Sequence, residues 1–441
     1  MEEATEPERG ALPEAGSPAE KVSLRLILSD RTVRVVLLIV FVIMLGFGII
    51  APILPLYARS FGVSYGTASL LISAFAFARL IFDPVAGPIV DRYGERVSAI
   101  VGVSVVGVSA FLAALATNFP LVVLFRGAGG LGSSLFFAGL YSYLLKTVPS
   151  HRMGRTMSVF YGTLNVGVIA GGPLGGVLAH VWGLRSPLIV YAGLCLVSAL
   201  LYVRFMSDPV PITPKGGADA GVSASPLTSR ERIRALLARP GFVTVLVLNM
   251  AFFWMVAGGY DTLVPLFAKE GLGMSEVGVG AMFTIAVAAE FLVLYPAGSA
   301  SDRVGRKPVL LVSLTALAVM TAVVGWASSP VALGVFMAFL GFASGATAAT
   351  PSAMLADVIP ETGSGSAVGL FRFAGDLGFV LGPLTAGFAT KAVGFKGAFA
   401  IMAIPVAMTL LLVIRTPETL RTRGGGSTSR DRDRERQAAL D

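Results

Sequence analysis

About twelve stretches of roughly 20 mainly apolar residues follow one another along this chain, parted by short polar segments. A stretch of that length crosses the hydrocarbon core of a bilayer as a helix, and lipid offers no partner to an unpaired backbone group. The reading is therefore an all-α integral membrane protein. The expected spans are Val33–Ala58, Thr67–Val90, Val97–Thr117, Phe119–Val148, Thr156–Val181, Ser186–Met206, Phe242–Lys269, Ser275–Ala300, Lys307–Ser328, Pro330–Val358, Gly365–Lys391 and Phe395–Ile414. Of 441 residues, 55% are hydrophobic and 14% charged, where a soluble domain carries about 25% charged residues.

The remaining charges are unevenly placed. Lys21, Arg25, Arg31, Arg34, Arg92, Arg96, Arg152, Arg155, Lys215, Arg230, Arg232, Arg234, Arg239, Arg303, Arg306 and Lys307 fall on one side of the alternating spans. The other side carries mainly Arg59, Arg185, Lys269, Lys391 and Lys396. Basic loops stay in the cytoplasm, so both termini are expected there, in a multi-pass protein of the plasma membrane. The net charge of +8 then reports topology and lipid contact, and nucleic acid is not an expected partner. One cysteine, Cys195, and two histidines, His151 and His180, give no metal-ligand spacing, so neither metal nor cofactor is expected.

The expected organisation is a disordered N-terminus at 1–32, a six-helix bundle at 33–206, a linker at 207–241, a second bundle at 242–415 and a disordered tail at 416–441. The start of the chain lacks the basic and apolar regions of a cleavable signal peptide. Within the linker, Ile233, Leu236 and Leu237 share a helical face among arginines, the pattern of a short amphipathic helix at the membrane interface.

The two bundles repeat one another. Gly87-Pro-Ile-Val-Asp91-Arg92-Tyr-Gly94-Glu95-Arg96 and Gly298-Ser-Ala-Ser-Asp302-Arg303-Val-Gly305-Arg306-Lys307 each follow an apolar run, their aspartates 211 positions apart. Pro55 and Pro265, and Gly172-Pro173 and Gly382-Pro383, recur at a spacing of 210. Ordered matches at nearly constant spacing mark a duplication. Gly94 and Gly305 suit a tight turn with positive φ. Asp91 and Asp302 stand where a carboxylate can meet a helix N-terminus or an arginine, and such contacts can form in one conformer only. Gly87, Asp91, Arg92, Gly94, Gly298, Asp302, Arg303, Gly305 and Arg306 are thus candidates for a conformational latch, or a topology signal alone. Gly172, Pro173, Gly176, Gly382 and Pro383 are expected to bend helices or let them pack closely.

With Leu45-Gly-Phe-Gly-Ile-Ile-Ala-Pro52-Ile-Leu-Pro55, Leu124-Phe-Arg126-Gly-Ala-Gly-Gly130 and Gly171-Gly172-Pro173-Leu-Gly175-Gly176, the Asp-Arg turns resemble the motifs of the major facilitator superfamily. Within it they are most similar to the proton-coupled drug-efflux antiporters with twelve spanning helices. The first Asp-Arg turn departs from that pattern, with Glu95 where a basic residue is usual. The resemblance implies two six-helix bundles, alternating access, and a central cavity lined by the first, fourth, seventh and tenth helices.

Ionisable residues inside spans are costly unless paired, so they point to function. They are Arg79, Asp83, Arg126, Asp261, Glu290, Arg372 and Asp376. Arg79/Asp83 and Arg372/Asp376 have i,i+4 spacing, so each pair could neutralise itself on one helix face. Asp261 has no basic residue one turn away, and the resemblance puts its helix on the cavity. A carboxyl group so placed suits the loading and release of a proton. The proton-coupling candidates are Asp261 first, then Asp376, Glu290 and Asp83; Arg126, Arg79 and Arg372 are the cavity or charge-pair candidates. Phe252, Phe253, Trp254 and Tyr260 in the seventh helix, and Phe136, Phe137, Tyr141 and Tyr143 in the fourth, lean toward a lipophilic substrate. The expected function is proton-driven export of a small lipophilic compound by a monomer. An importer or facilitator of a small polar metabolite is the alternative. A membrane enzyme is remote, because His151 and His180 fall on opposite sides.

Overall fold

The protein is described by a computed structural model covering residues 30–148, 150–206, 229–359 and 364–420. The expectations of disorder for the N-terminus and tail lie mostly outside these residues, as does the first part of the linker. No strand occurs among the described residues. Among the described residues, eleven helices are long and apolar enough to cross a membrane. The last, Ser366–Arg415, is broken at Gly394 (φ 71°), so it supplies two spans and the described residues hold twelve.

We number the spans in chain order. In the first half α1 is Arg31–Ile50 with its continuation Leu54–Arg59, α2 is Tyr65–Tyr93, α3 Glu95–Leu115, α4 Phe119–Thr147, α5 Ser150–Trp182 and α6 Ser186–Phe205. In the second half α7 is Phe242–Gly271, α8 Glu276–Val304, α9 Arg306–Trp326 and α10 Pro330–Val358, with α11 ending and α12 beginning at Gly394. Between the halves, Ser229–Leu237 is helical; it buries Leu236 in the core of the second half and leaves Ile233 and Leu237 exposed.

The duplication reaches into the helix ends. Ser64 caps α2 and Ser275 caps α8; Asn118 caps α4 and Ser329 caps α10. In each case a side-chain oxygen accepts a backbone N–H of the first turn, which the helix itself cannot satisfy. The turns after α2 and α8 pass through Gly94 (φ 86°) and Gly305 (φ 114°), where a side chain would strain the backbone.

Each half has its own core. Tyr57, Phe160 and Tyr202 are enclosed in the first; Phe242 and Phe399 in the second. The halves meet along two seams, α2 against α11 and α5 against α8. In the second seam Gly172 and Gly280 sit backbone to backbone, so closely that a Cβ on Gly280 would collide with the Gly172 carbonyl. Absence of side chains is what allows this approach.

Candidate functional site

The helices that carry the site are interrupted at equivalent places. α1 breaks over residues 51–53, between Ile50 and Leu54. α7 widens into π-helix over Val256–Leu263 and again over Phe267–Gly271. A cause is at hand: Pro265 has no N–H to give the carbonyl of Asp261, and Pro55 stands in the same relation to Ala51. The chain re-registers, and Val264 N–H bonds the carbonyl of Gly259, five residues back. Such widened turns recur at functional positions. Ala51 and Asp261, 210 positions apart, both face one cavity.

That cavity, ≈ 90 Å³, lies between the halves and is lined by Phe47, Ala51, Leu54, Ile72, Phe75, Arg79, Arg126, Asp261 and Phe379. Arg126 is 2% exposed; its guanidinium carbon lies over the Phe75 ring, 4.1 Å from the ring centre, and its Nε and Nη1 have no hydrogen-bond partner. Asp261 is 6% exposed. Among the described residues, none gives it a hydrogen bond or ion pair within 4 Å. Its charged neighbour is another acid, Glu290 of α8, which accepts a hydrogen bond from Ser344 Oγ of α10 at 2.8 Å and has no cation beside it. Tyr260 stands beside Glu290 and Ser344 with its hydroxyl unbonded.

The other four intramembrane charges pair differently from the self-neutralised expectation. Arg79 of α2 binds Asp376 of α11, and Arg372 of α11 binds Asp83 of α2 at 3.1 Å. Both pairs cross the seam between the halves. Spacing i,i+4 puts the two charges of each helix on one face, and that face meets a partner helix bearing the same two charges. Ser134 of α4 also donates to Asp83.

Further ties continue to the mouth remote from the described chain ends. Ser73 Oγ donates to the Val380 carbonyl at 2.8 Å. At the rim, Arg59 holds Glu270 at 2.9 Å, Tyr65 donates to Glu270 at 2.5 Å, and His180 meets Glu276 at 3.3 Å. Each joins one half to the other, so this mouth is tied shut. The rim cluster carries no motif that the sequence alone would single out. The aromatic walls differ from expectation too: they come from Phe47, Phe75 and Phe379, and none of the aromatic residues singled out in α4 and α7 lines the cavity.

The two Asp-Arg turns are built unlike one another. Asp91 is exposed, and Arg92 lies over Tyr93. Gly87 has open space around it and Gly298 nearly so. In the second turn Asp302 binds Arg306, which also binds Asp357 at 3.0 Å; Arg303 is exposed. The N-terminus of α9 is met not by an aspartate of the turn but by Glu418, which accepts from the N–H groups of Arg306 and Lys307, both at 3.0 Å. In the first half the counterpart of the Arg306–Asp357 pair is Glu95–Lys146 with the signs exchanged, each residue displaced by 211. Glu95 is therefore no irregularity but half of an inverted ion pair. Adding the repeat spacing to 95 and 146 would have found it.

Gly172 and Gly176 let α5 approach α8, whereas Gly382 packs on Trp254 and Gly258 of α7 within its own half. Pro173 and Pro383 lie inside their helices.

Two equivalent six-helix halves around an intramembrane cavity, closed at one mouth, make a membrane transporter and not an enzyme. The chain belongs to the Major Facilitator Superfamily, whose family model matches residues 36–288 and 259–435. The quinolone resistance protein NorA of Staphylococcus aureus is 29% identical over 177 residues, 40% of this chain and 45% of NorA. The chain thus matches less than half the length of that relative. An uncharacterised MFS-type transporter of Methanocaldococcus jannaschii is 23% identical over 377 residues, 85% of this chain and 95% of that protein. Among solved structures, a D-xylose-proton symporter matches with a TM-score of 0.69 at 17% identity, covering 88% of this chain and 98% of the symporter. A bacterial homologue of the human lysosomal transporter Spinster, inward-facing and unoccupied, matches with a TM-score of 0.69 at 16% identity, covering 87% and 95%. These two likenesses show the fold.

Proposed function

We propose that the protein exports a small lipophilic compound in exchange for protons, by alternating access, with both termini in the cytoplasm. The observation that carries this is Asp261, buried in the wall of the cavity with no ion pair within 4 Å, and paired electrostatically with a second acid, the half-buried Glu290 of α8, which likewise has no ion pair. A carboxyl group placed in the cavity wall with no cation to hold its charge suits the loading and release of a proton. The similarity to NorA supports efflux, and the phenylalanine walls support a lipophilic cargo over a polar metabolite. Rocking between states exposes the pair to one side and then the other. An inward proton releases about 2.3 kcal/mol per 100 mV, which biases the cycle toward export. The crossed pairs of α2 and α11 and the rim cluster hold the present state, and breaking them opens the other mouth. In this reading the Asp-Arg turns fasten each bundle at its cytoplasmic edge.

The test is the Asp261→Asn protein in proteoliposomes. Export driven by a pH gradient is lost while passive counterflow of the same compound persists. Undiminished proton-driven export in that variant, or export by the parent that ignores an uncoupler, refutes the reading.

A further inference from the structure

The cavity has two poles, one of each sign, with bonding capacity left over. In the first, Arg126, almost wholly buried, presents Nε and Nη1 without partners, and Arg79, held through Nη2 by Asp376, presents an unpartnered buried Nε. In the second, Asp261 presents a buried carboxyl group with no ion pair within 4 Å. No ion pair within 4 Å joins Asp261 to either arginine, although all three line the same space. A buried polar group left without its hydrogen bonds is costly, and more so when charged. A ligand of one charge fills one pole and leaves the other empty. A ligand of both charges fills both and adds no net charge to a membrane interior that tolerates none.

We propose that this cavity takes a compact zwitterion, a molecule whose carboxylate and ammonium lie a few bonds apart at one end of an apolar body. The carboxylate accepts from Arg126 and Arg79, whose planar guanidinium groups suit it. The ammonium donates to Asp261. A space of ≈ 90 Å³ holds such a head group and not a whole drug-sized molecule. Phe47, Phe75 and Phe379 are the apolar walls for the body. The inference rests on taking the cavity as the substrate site. It also gives the proton a direct competitor, because a proton and an ammonium cannot occupy Asp261 together.

The test uses the full chain in lipid nanodiscs and three fluorescent probes of nearly equal size. Nε-dansyl-lysine is the zwitterion, its methyl ester the cation and its Nα-acetyl derivative the anion. Titration followed by dansyl emission is expected to give the zwitterion a Kd at least about tenfold below either derivative, which corresponds to about 1.4 kcal/mol. Arg126→Gln is expected to erase the preference over the ester, and Asp261→Asn the preference over the acetyl compound. The three-probe comparison on the unmodified protein needs neither variant to fold. Either derivative binding as tightly as the zwitterion, or no binding by any of the three, overturns the proposal. Proton-driven export of a lipophilic cation without zwitterion preference overturns this inference alone. Zwitterion preference without proton-driven export of any probe overturns the export reading alone.

Discussion

The crossed pairs between α2 and α11 can be separated by experiment from the in-helix pairs that the same spacing allows. The Arg79 side chain is 23% exposed and that of Asp376 10%, whereas Arg372 and Asp83 are 45% and 21% exposed. Removing one partner of a fully buried pair costs about 3–5 kcal/mol, and an exposed pair is worth about 0.2–1 kcal/mol. Arg79–Asp376 lies between these limits, so Asp376→Asn should take about 1–3 kcal/mol from the state with the remote mouth closed, a change of about 5- to 150-fold in the conformational ratio. Asp83→Asn should take under about 1 kcal/mol, because Arg372 already has access to solvent. The readout is the rate at which a membrane-impermeant thiol reagent, added at the remote face, modifies a cysteine placed at Ala51. The chain's own Cys195 is buried and can be replaced by alanine for the purpose. Modification should quicken in Asp376→Asn and return toward the parent rate when Arg79→Asp is combined with Asp376→Arg. Combining Arg79→Asp with Asp83→Arg should restore nothing. Recovery by that in-helix exchange, or an unchanged rate in Asp376→Asn, would refute the crossed arrangement.

Two further outcomes follow from the turns. Glu95→Lys and Lys146→Glu should each lower the thermal unfolding midpoint in detergent, and the double exchange should recover part but not all of it; full independence of the two substitutions would contradict the pair. Burial acts to raise the pKa of Glu418, but the N–H groups of Leu420, Lys307, Arg306 and Thr419 outweigh it and hold the carboxyl below its ordinary value. The stability it lends is therefore complete above the ordinary glutamate pKa and fades as pH falls through the lowered value. Protection of the Arg306 and Lys307 amides from exchange should fall in Glu418→Gln at neutral pH, and the difference between variant and parent should shrink in acid.

Much of the fold is written in apolar run length, because lipid leaves the backbone no other way to bond. The repeat was equally plain at Asp91/Asp302, Pro55/Pro265 and the Gly-Pro pairs. Partner choice was not. A period of 3.6 residues tells that Arg79 and Asp83 share a face, but not which helix that face meets. The cavity walls are hidden from the sequence for the same reason: Phe75 is one turn from Arg79, yet nothing in α2 alone says that the turn points inward. Arg126 and Asp261 were recognisable as isolated intramembrane charges, and the structure brings them to one space. Glu418 lay beyond the last span, where sequence pattern carries no distance information.

The duplicated halves differ most where charge is concerned. Position 290 in α8 repeats position 79 in α2, yet it holds Glu290 instead of an arginine; position 166 in α5 repeats position 376 in α11, yet it holds Val166 instead of an aspartate. Within the membrane the α2–α11 seam is consequently fastened by ion pairs, and the α5–α8 seam by backbones meeting at Gly172 and Gly280, with His180 and Glu276 joining it only at the rim. The turns show the same inversion. Glu95 begins α3 with the sign a helix N-terminus favours, whereas Arg306 begins α9 with the sign it disfavours. Asp302, Asp357 and Glu418 gather around Arg306 and offset that mismatch. The first half needs no such group, which is why a simple exchange of Glu95 and Lys146 cannot fully reproduce the pair. Asp261 and Glu290 end up in the second half with no cation beside them. A fold of two equal halves thus keeps its four paired intramembrane charges on the α2–α11 seam and leaves Asp261 and Glu290 without an ion pair in the second half.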